Sequence, residues 1–249
     1  MPFDQSESMG SDDSESRMPF LDHLEELRRR LLKSILAVVA MAIVAFCFRE
    51  EIMAFLTGPF GDHRLHNMEV TGAFYAYLKI SMLVGILAAL PIVFYQMWAF
   101  ISPGLYRKER ATILPLVLIS TVLFIVGAGF CYFVVLPVAL KWLISFSGDV
   151  MVNTITISSY ISFVGMLMLA FGASFQLPII AYFLGRLGIL PSRLLVRGRR
   201  YAIVIILIVA AIITPPDVFT QLVLAIPMYI LYEISIITVK MTGRAEDRS

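Results

Sequence analysis

ATILPLVLISTVLFIVGAGFCYFVVL, residues 111–136, carries no charged side chain in 26 positions. As a helix it rises about 39 Å at 1.5 Å per residue, enough to cross the roughly 30 Å hydrocarbon layer of a bilayer. Similar runs lie at 31–48, 72–100, 158–184 and 218–239, and a shorter one at 201–213. Backbone polar groups in lipid must pair within the protein, which leaves helices or closed barrels. These runs are too long and too uniformly apolar for barrel strands of about 9–11 alternating residues. The expected fold is therefore an all-α integral membrane protein with six transmembrane helices.

Composition agrees. Of 249 residues 59% are apolar and 15% charged, against about 45–50% and 25% in soluble globular chains. Residues 1–19 are polar and acidic, and are expected to form a disordered tail. Residues 20–240 then make up the transmembrane domain and 241–249 a C-terminal tail. The first run follows an arginine cluster, as a secretory signal would. Its 18 positions exceed the usual h-region of about 7–15, and Arg49, Glu50 and Glu51 stand where a cleavage site belongs. It reads as a retained span. Cys47 and Cys131 lack metal or redox spacing and read as packing residues; no metal and no cofactor are expected.

Cations set the orientation. Arg17, Arg28, Arg29, Arg30 and Lys33 precede the first span; Arg107, Lys108 and Arg110 follow the second. Arg186, Arg193, Arg197, Arg199 and Arg200 follow the fourth; Lys240, Arg244 and Arg248 follow the last. Sixteen of the 20 lysines and arginines thus fall on one side. The positive-inside rule assigns that side to the cytoplasm, with both termini. The 13-residue fifth run rises only about 20 Å. Thr214, Pro215, Pro216 and Asp217 link it to the sixth, so these two spans are expected to form a short hairpin.

Polar residues inside apolar runs are the candidates for function, because an unpaired polar group in hydrocarbon is costly. Gln96, Gln176, Gln221 and Glu233 are of this kind, and Asp217 stands at the mouth of the last span. Ordinary helix-to-helix hydrogen bonds, worth about 0.6 kcal/mol, explain the glutamines equally well. Lys79 is expected to snorkel toward the headgroups. Prolines 91, 115, 137, 178 and 227 bend helices or end them, which suits a concave bundle. Gly165, Gly172, Ala173 and Ser174 are expected at close helix contacts.

Ahead of the first span, Leu24, Leu27 and Leu31 form one stripe of a helix whose other face is charged. Glu25 with Arg29 and Glu26 with Arg30 have favourable i,i+4 spacing. Glu109 stands at the start of the third span, where the helix dipole favours an acid.

Four stretches resemble the TatC family, the multi-spanning receptor subunit of the twin-arginine protein translocase: HLEELRRRLL (23–32), FYQMWAFISPGLYRKER (94–110), FGASFQLP (171–178) and TPPDVFTQLVLAIPMYILYEI (214–234). The resemblance runs from about Phe20 to Lys240. It implies location in the cytoplasmic (inner) membrane and export of folded proteins driven by the proton-motive force. The implied partners are the single-span subunits TatA and TatB, twin-arginine signal peptides and further copies of the chain, with no nucleic acid. By motif, Glu26 and Glu109 would receive the paired arginines, with Arg28 on the same face. Gln176 stands where the family often has a glutamate implicated in partner-helix contact; it keeps hydrogen bonding without charge. A small-solute permease is the alternative class, but no internal repeat is visible. No GxSG, HExxH or GxxxxGK[ST] motif points to an enzyme.

Overall fold

The computed structural model describes residues 12–60, 71–101, 113–145, 156–214 and 217–243, residues 12–22 by backbone alone. Among them every extended regular element is helical. Helix α1 spans Asp12–Cys47, α2 Arg49–Thr57, α3 Gly72–Ile101, α4 Ile113–Phe130, α5 Leu136–Ser145, α6 Ile157–Ser174, α7 Leu177–Arg186, α8 Ser192–Ile213 and α9 Val218–Gly243. Helix α1 begins inside the segment expected to be a disordered tail.

Five segments are long and apolar enough to cross a membrane: His23–Cys47, Gly72–Ile101, Leu114–Ser145, Ile157–Arg186 and Val218–Thr242. The third joins α4 to α5 through a π-helical turn at Cys131–Val135, where Leu136 N–H reaches back to Cys131 O. Pro137 follows at once and has no N–H to continue a regular ladder. The fourth joins α6 to α7 and breaks at Phe175 and Gln176, just before Pro178. The sixth expected span is the apolar half of α8. That helix has 22 residues, but Arg193, Arg197, Arg199 and Arg200 occupy its first nine positions, leaving the apolar length at Tyr201–Ile213.

The main core gathers Ile80 of α3, Leu136 of α5, Ile161, Leu167 and Phe171 of α6 and Leu224 of α9. A second core holds Phe94 and Trp98 of α3, Leu116 and Phe124 of α4, and Ile179 and Phe183 of α7. Two glycines permit the closest approaches. A methyl on Gly172 would lie 2.2 Å from the Phe124 ring, and one on Gly85 would lie 2.6 Å from the Ala42 backbone. The close contact expected at Gly172 is present, whereas Gly165 meets Leu83 at an ordinary 3.6 Å. Helix α1 leans on α3 and leaves most of its surface outward; Leu36 and Ile43 are 70% and 64% exposed. Outward apolar side chains on every span supply the lipid-facing surface that the composition requires.

Candidate functional site

The charged segment ahead of the first span is continuous helix with it, so its side chains stand at fixed angular positions. Arg30 donates from Nε (3.0 Å) and Nη2 (2.6 Å) to one carboxylate oxygen of Glu26. Both side chains are about three-quarters shielded. Glu25 and Arg29 turn instead, with Arg28, Leu32, Lys33 and Leu36, to an open groove of about 360 Å³. Arg28 thus shares the groove face with Glu25 and Arg29, and the face expected to join it to Glu26 is not formed, because residues two apart on a helix point to different sides. The His23 ring stacks on Phe100 with centroids 4.4 Å apart, tying this helix to the last turn of α3. Glu109 lies outside the described residues, eight positions beyond the end of α3.

Gln176 stands at the N-cap position of α7, where its side chain makes no capping bond, and is 7% exposed. Its Nε2 donates to the Ser120 carbonyl at 3.0 Å, while Ser120 Oγ accepts from Trp98 Nε1 at 3.1 Å. One polar chain therefore links α3, α4 and the α6–α7 break through the second core. An amide suits this position because its NH₂ faces a carbonyl, an acceptor that a carboxylate cannot satisfy.

Gln221 and Glu233 both hold α9 to α8, the adjacency expected of the hairpin. Gln221 Nε2 donates to Leu207 O at 3.0 Å. Arg199 donates to Glu233 Oε2 at 2.7 Å, Tyr229 donates to Oε1 at 2.9 Å, and Tyr232 donates to Leu195 O at 2.7 Å. Asp217 caps α9: its Oδ1 accepts from Thr220 N–H at 2.8 Å and its Oδ2 from the Thr220 hydroxyl. That is an N-cap, satisfying donors the helix itself leaves open. Gln96 lies near the Ile101 end of α3, and no side-chain bond to it is recorded among the described residues.

Three features escape the sequence reading. Lys79 donates to Ser158 Oγ at 2.9 Å and Ser162 Oγ at 2.8 Å, so it bridges α3 to α6 instead of reaching freely for the headgroups. The i,i+4 spacing of Ser158 and Ser162 was the available signal. Tyr160 donates to Leu56 O at 2.8 Å and Tyr132 to Phe55 O, anchoring the short α2. The Arg199–Glu233 pair needed knowledge that α8 continues helical through its arginines.

These features define a polytopic helical membrane protein with a charged helical lead-in and polar links between spans. Residues 22–227 match the family model described as Sec-independent protein translocase protein (TatC). The chain belongs to the TatC family. It is 42% identical over 240 residues to the TatC of Desulforapulum autotrophicum, covering 94% of this chain and 88% of that one. The TatC of Aquifex aeolicus is 40% identical over 91% of this chain and 97% of its own. A crystal structure described as the twin arginine translocase receptor TatC superposes with a TM-score of 0.82 at 40% identity, covering 89% of this chain and 99% of that one.

Proposed function

We propose that this chain is the signal-peptide receptor and core subunit of a twin-arginine translocase that exports folded proteins using the proton-motive force. Membership of the TatC family supports the transport role and argues for a non-enzymatic one. The reading of the site rests on one observation: Arg30 holds Glu26 by a single oxygen on an outward helix stacked at the end of α3. Oε2 of Glu26 accepts no recorded bond among the described residues, so it stands ready for a guanidinium. Two adjacent arginines require a second acid at a definite separation, because each planar fork of donors is best met by its own carboxylate. Glu109, which follows α3 in the sequence, is the second acid. Arg28, on the neighbouring groove face with Arg29, repels cationic peptides that do not meet correctly placed acids.

Charge placement supports a cytoplasmic position for both termini, and membership of the TatC family supports location in the cytoplasmic membrane. Within the translocase its partners are TatA and TatB, single-span subunits, and further copies of the chain. The links at Gln176, Gln221 and Glu233 lie on spans available to those partners, though each is engaged within the chain here.

The test is binding of a twin-arginine signal peptide to Glu26→Gln, Glu109→Gln and the double variant, with a twin-lysine peptide as control. Each charge-assisted contact contributes about 1.5–3 kcal/mol, so losing one weakens binding roughly ten-fold or more. Near-normal binding by a well-inserted double variant would remove the proposed chemistry.

A further inference from the structure

Helices α1 and α3 touch backbone to backbone at Ala42 and Gly85. From that crossing toward the Cys47 end of α1 they part and enclose an apolar cleft of about 590 Å³, with Ala42, Phe46, Cys47, Leu78, Lys79 and Met82 in its lining. Its volume is that of a small-molecule site, about 300–1,000 Å³. Val39 continues the lining past the crossing, and a third helix about 10–12 Å across does not fit between helices in backbone contact. A flexible hydrocarbon chain does.

The mouth of the cleft is positive. Lys79 is held by two neutral hydroxyls, Ser158 Oγ and Ser162 Oγ, and Ser162 spends its own proton on Ser158 O at 2.8 Å. The ammonium is thus positioned without being neutralised, and no carboxylate bridges it among the described residues. Arg49 stands at the same end, over the rings of Phe46 and Tyr77 at 5.2 and 5.7 Å, and pairs with Glu50 at 3.5 Å, so Lys79 is the cation left for an anion. A fixed cation above an apolar wedge matches a molecule with an anionic head and an alkyl tail.

We propose that this cleft is a binding site for an anionic phospholipid, with one acyl chain between α1 and α3 and the headgroup phosphate on the Lys79 ammonium. Lys79 donates two N–H bonds to the serines and one to a phosphate oxygen, which accounts for all three ammonium protons. The lipid would stiffen the contact of α1, the helix that carries Glu26, with the rest of the bundle.

Cys47 reports on the cleft directly, because it lines it and is exposed while Cys131 is fully buried. The full chain in detergent is alkylated with N-ethylmaleimide after addition of phosphatidylglycerol or of phosphatidylcholine. Phosphatidylglycerol at about ten times its dissociation constant should slow Cys47 modification roughly ten-fold, with phosphatidylcholine far less effective. Lys79→Gln should abolish the difference and Lys79→Arg keep it. Met82→Trp, which fills the cleft and leaves the cation, should also abolish it. Equal protection by both lipids in the unaltered chain overturns the proposal, whatever the variants do. So does a preference that survives in a folded Lys79→Gln chain, or a cleft already closed by a partner's helix and insensitive to either lipid.

Discussion

Glu26 and Arg30 are joined through a single carboxylate oxygen, Oε1, which accepts both Nε at 3.0 Å and Nη2 at 2.6 Å. Both donors converge on that oxygen, which orients the acid and leaves Oε2 with no bond recorded among the described residues. Arg30 therefore acts as a positioning residue for the proposed receptor site. An i,i+4 pair on a shielded but water-accessible surface contributes only about 0.3–0.5 kcal/mol to stability. Arg30→Gln should leave the melting temperature nearly unchanged and weaken twin-arginine peptide binding by less than the roughly ten-fold expected for Glu26→Gln. Binding titrations of the two variants on one preparation compare them directly; an equal loss would make Arg30 itself a binding partner.

The orientation follows from charge alone and is open to a direct check. Reporters fused within 140–155 or near Asp217 should be extracytoplasmic, and those within 186–198 or after Arg244 cytoplasmic. A cytoplasmic signal from 140–155 contradicts the six-span arrangement.

Gln176 should matter to the bundle more than its lack of charge suggests. Gln176→Leu removes the donor to Ser120 O and leaves that carbonyl without its cross-helix partner. In membrane bundles such bonds contribute about 0.6 kcal/mol and at most about 2. Ser120→Ala keeps the carbonyl but takes the acceptor from Trp98 Nε1. The two variants share one network, so thermal unfolding of the double variant should show less than the sum of the single losses.

Arg199 and Glu233 should show the same non-additivity for a different reason. Arg199→Gln leaves Glu233 with Tyr229 as its remaining hydrogen-bond partner, and Glu233→Gln leaves the arginine unpaired. Replacing both removes two partly exposed charges that share one contact, so the loss in the double variant should be smaller than the sum of the single losses. Unfolding curves in detergent decide this, and strictly additive losses would show that the pair is not coupled.

The apolar part of α8 is roughly 10 Å shorter than the hydrocarbon layer. A span that short thins the surrounding bilayer or is shielded by partners. Inserting four apolar residues between Tyr201 and Ile213 should impair cargo transport and leave signal-peptide binding intact. Unchanged transport in a lengthened chain rules out a role for the mismatch.

The course of the long apolar helices was legible in the sequence because lipid imposes a one-dimensional rule, that a crossing helix needs about 20 apolar residues in a row; five of the six expected spans meet it, and the apolar part of α8 does not. The hairpin of α8 and α9 followed from a link too short for any other path, and the family from four stretches in their order. What the polar residues do was not legible, because a hydrogen bond across a bundle depends on which faces meet. Gln176 found its acceptor 56 residues away on α4, and Lys79 found two serines on α6. Asp217 proved to be a cap and Glu233 half of an ion pair once the helix boundaries were known. The wedge above Ala42 and Gly85 belongs wholly to tertiary structure, since helices that cross at one close contact must part elsewhere. No run of residues encodes that space; only the packing of two helices at an angle creates it.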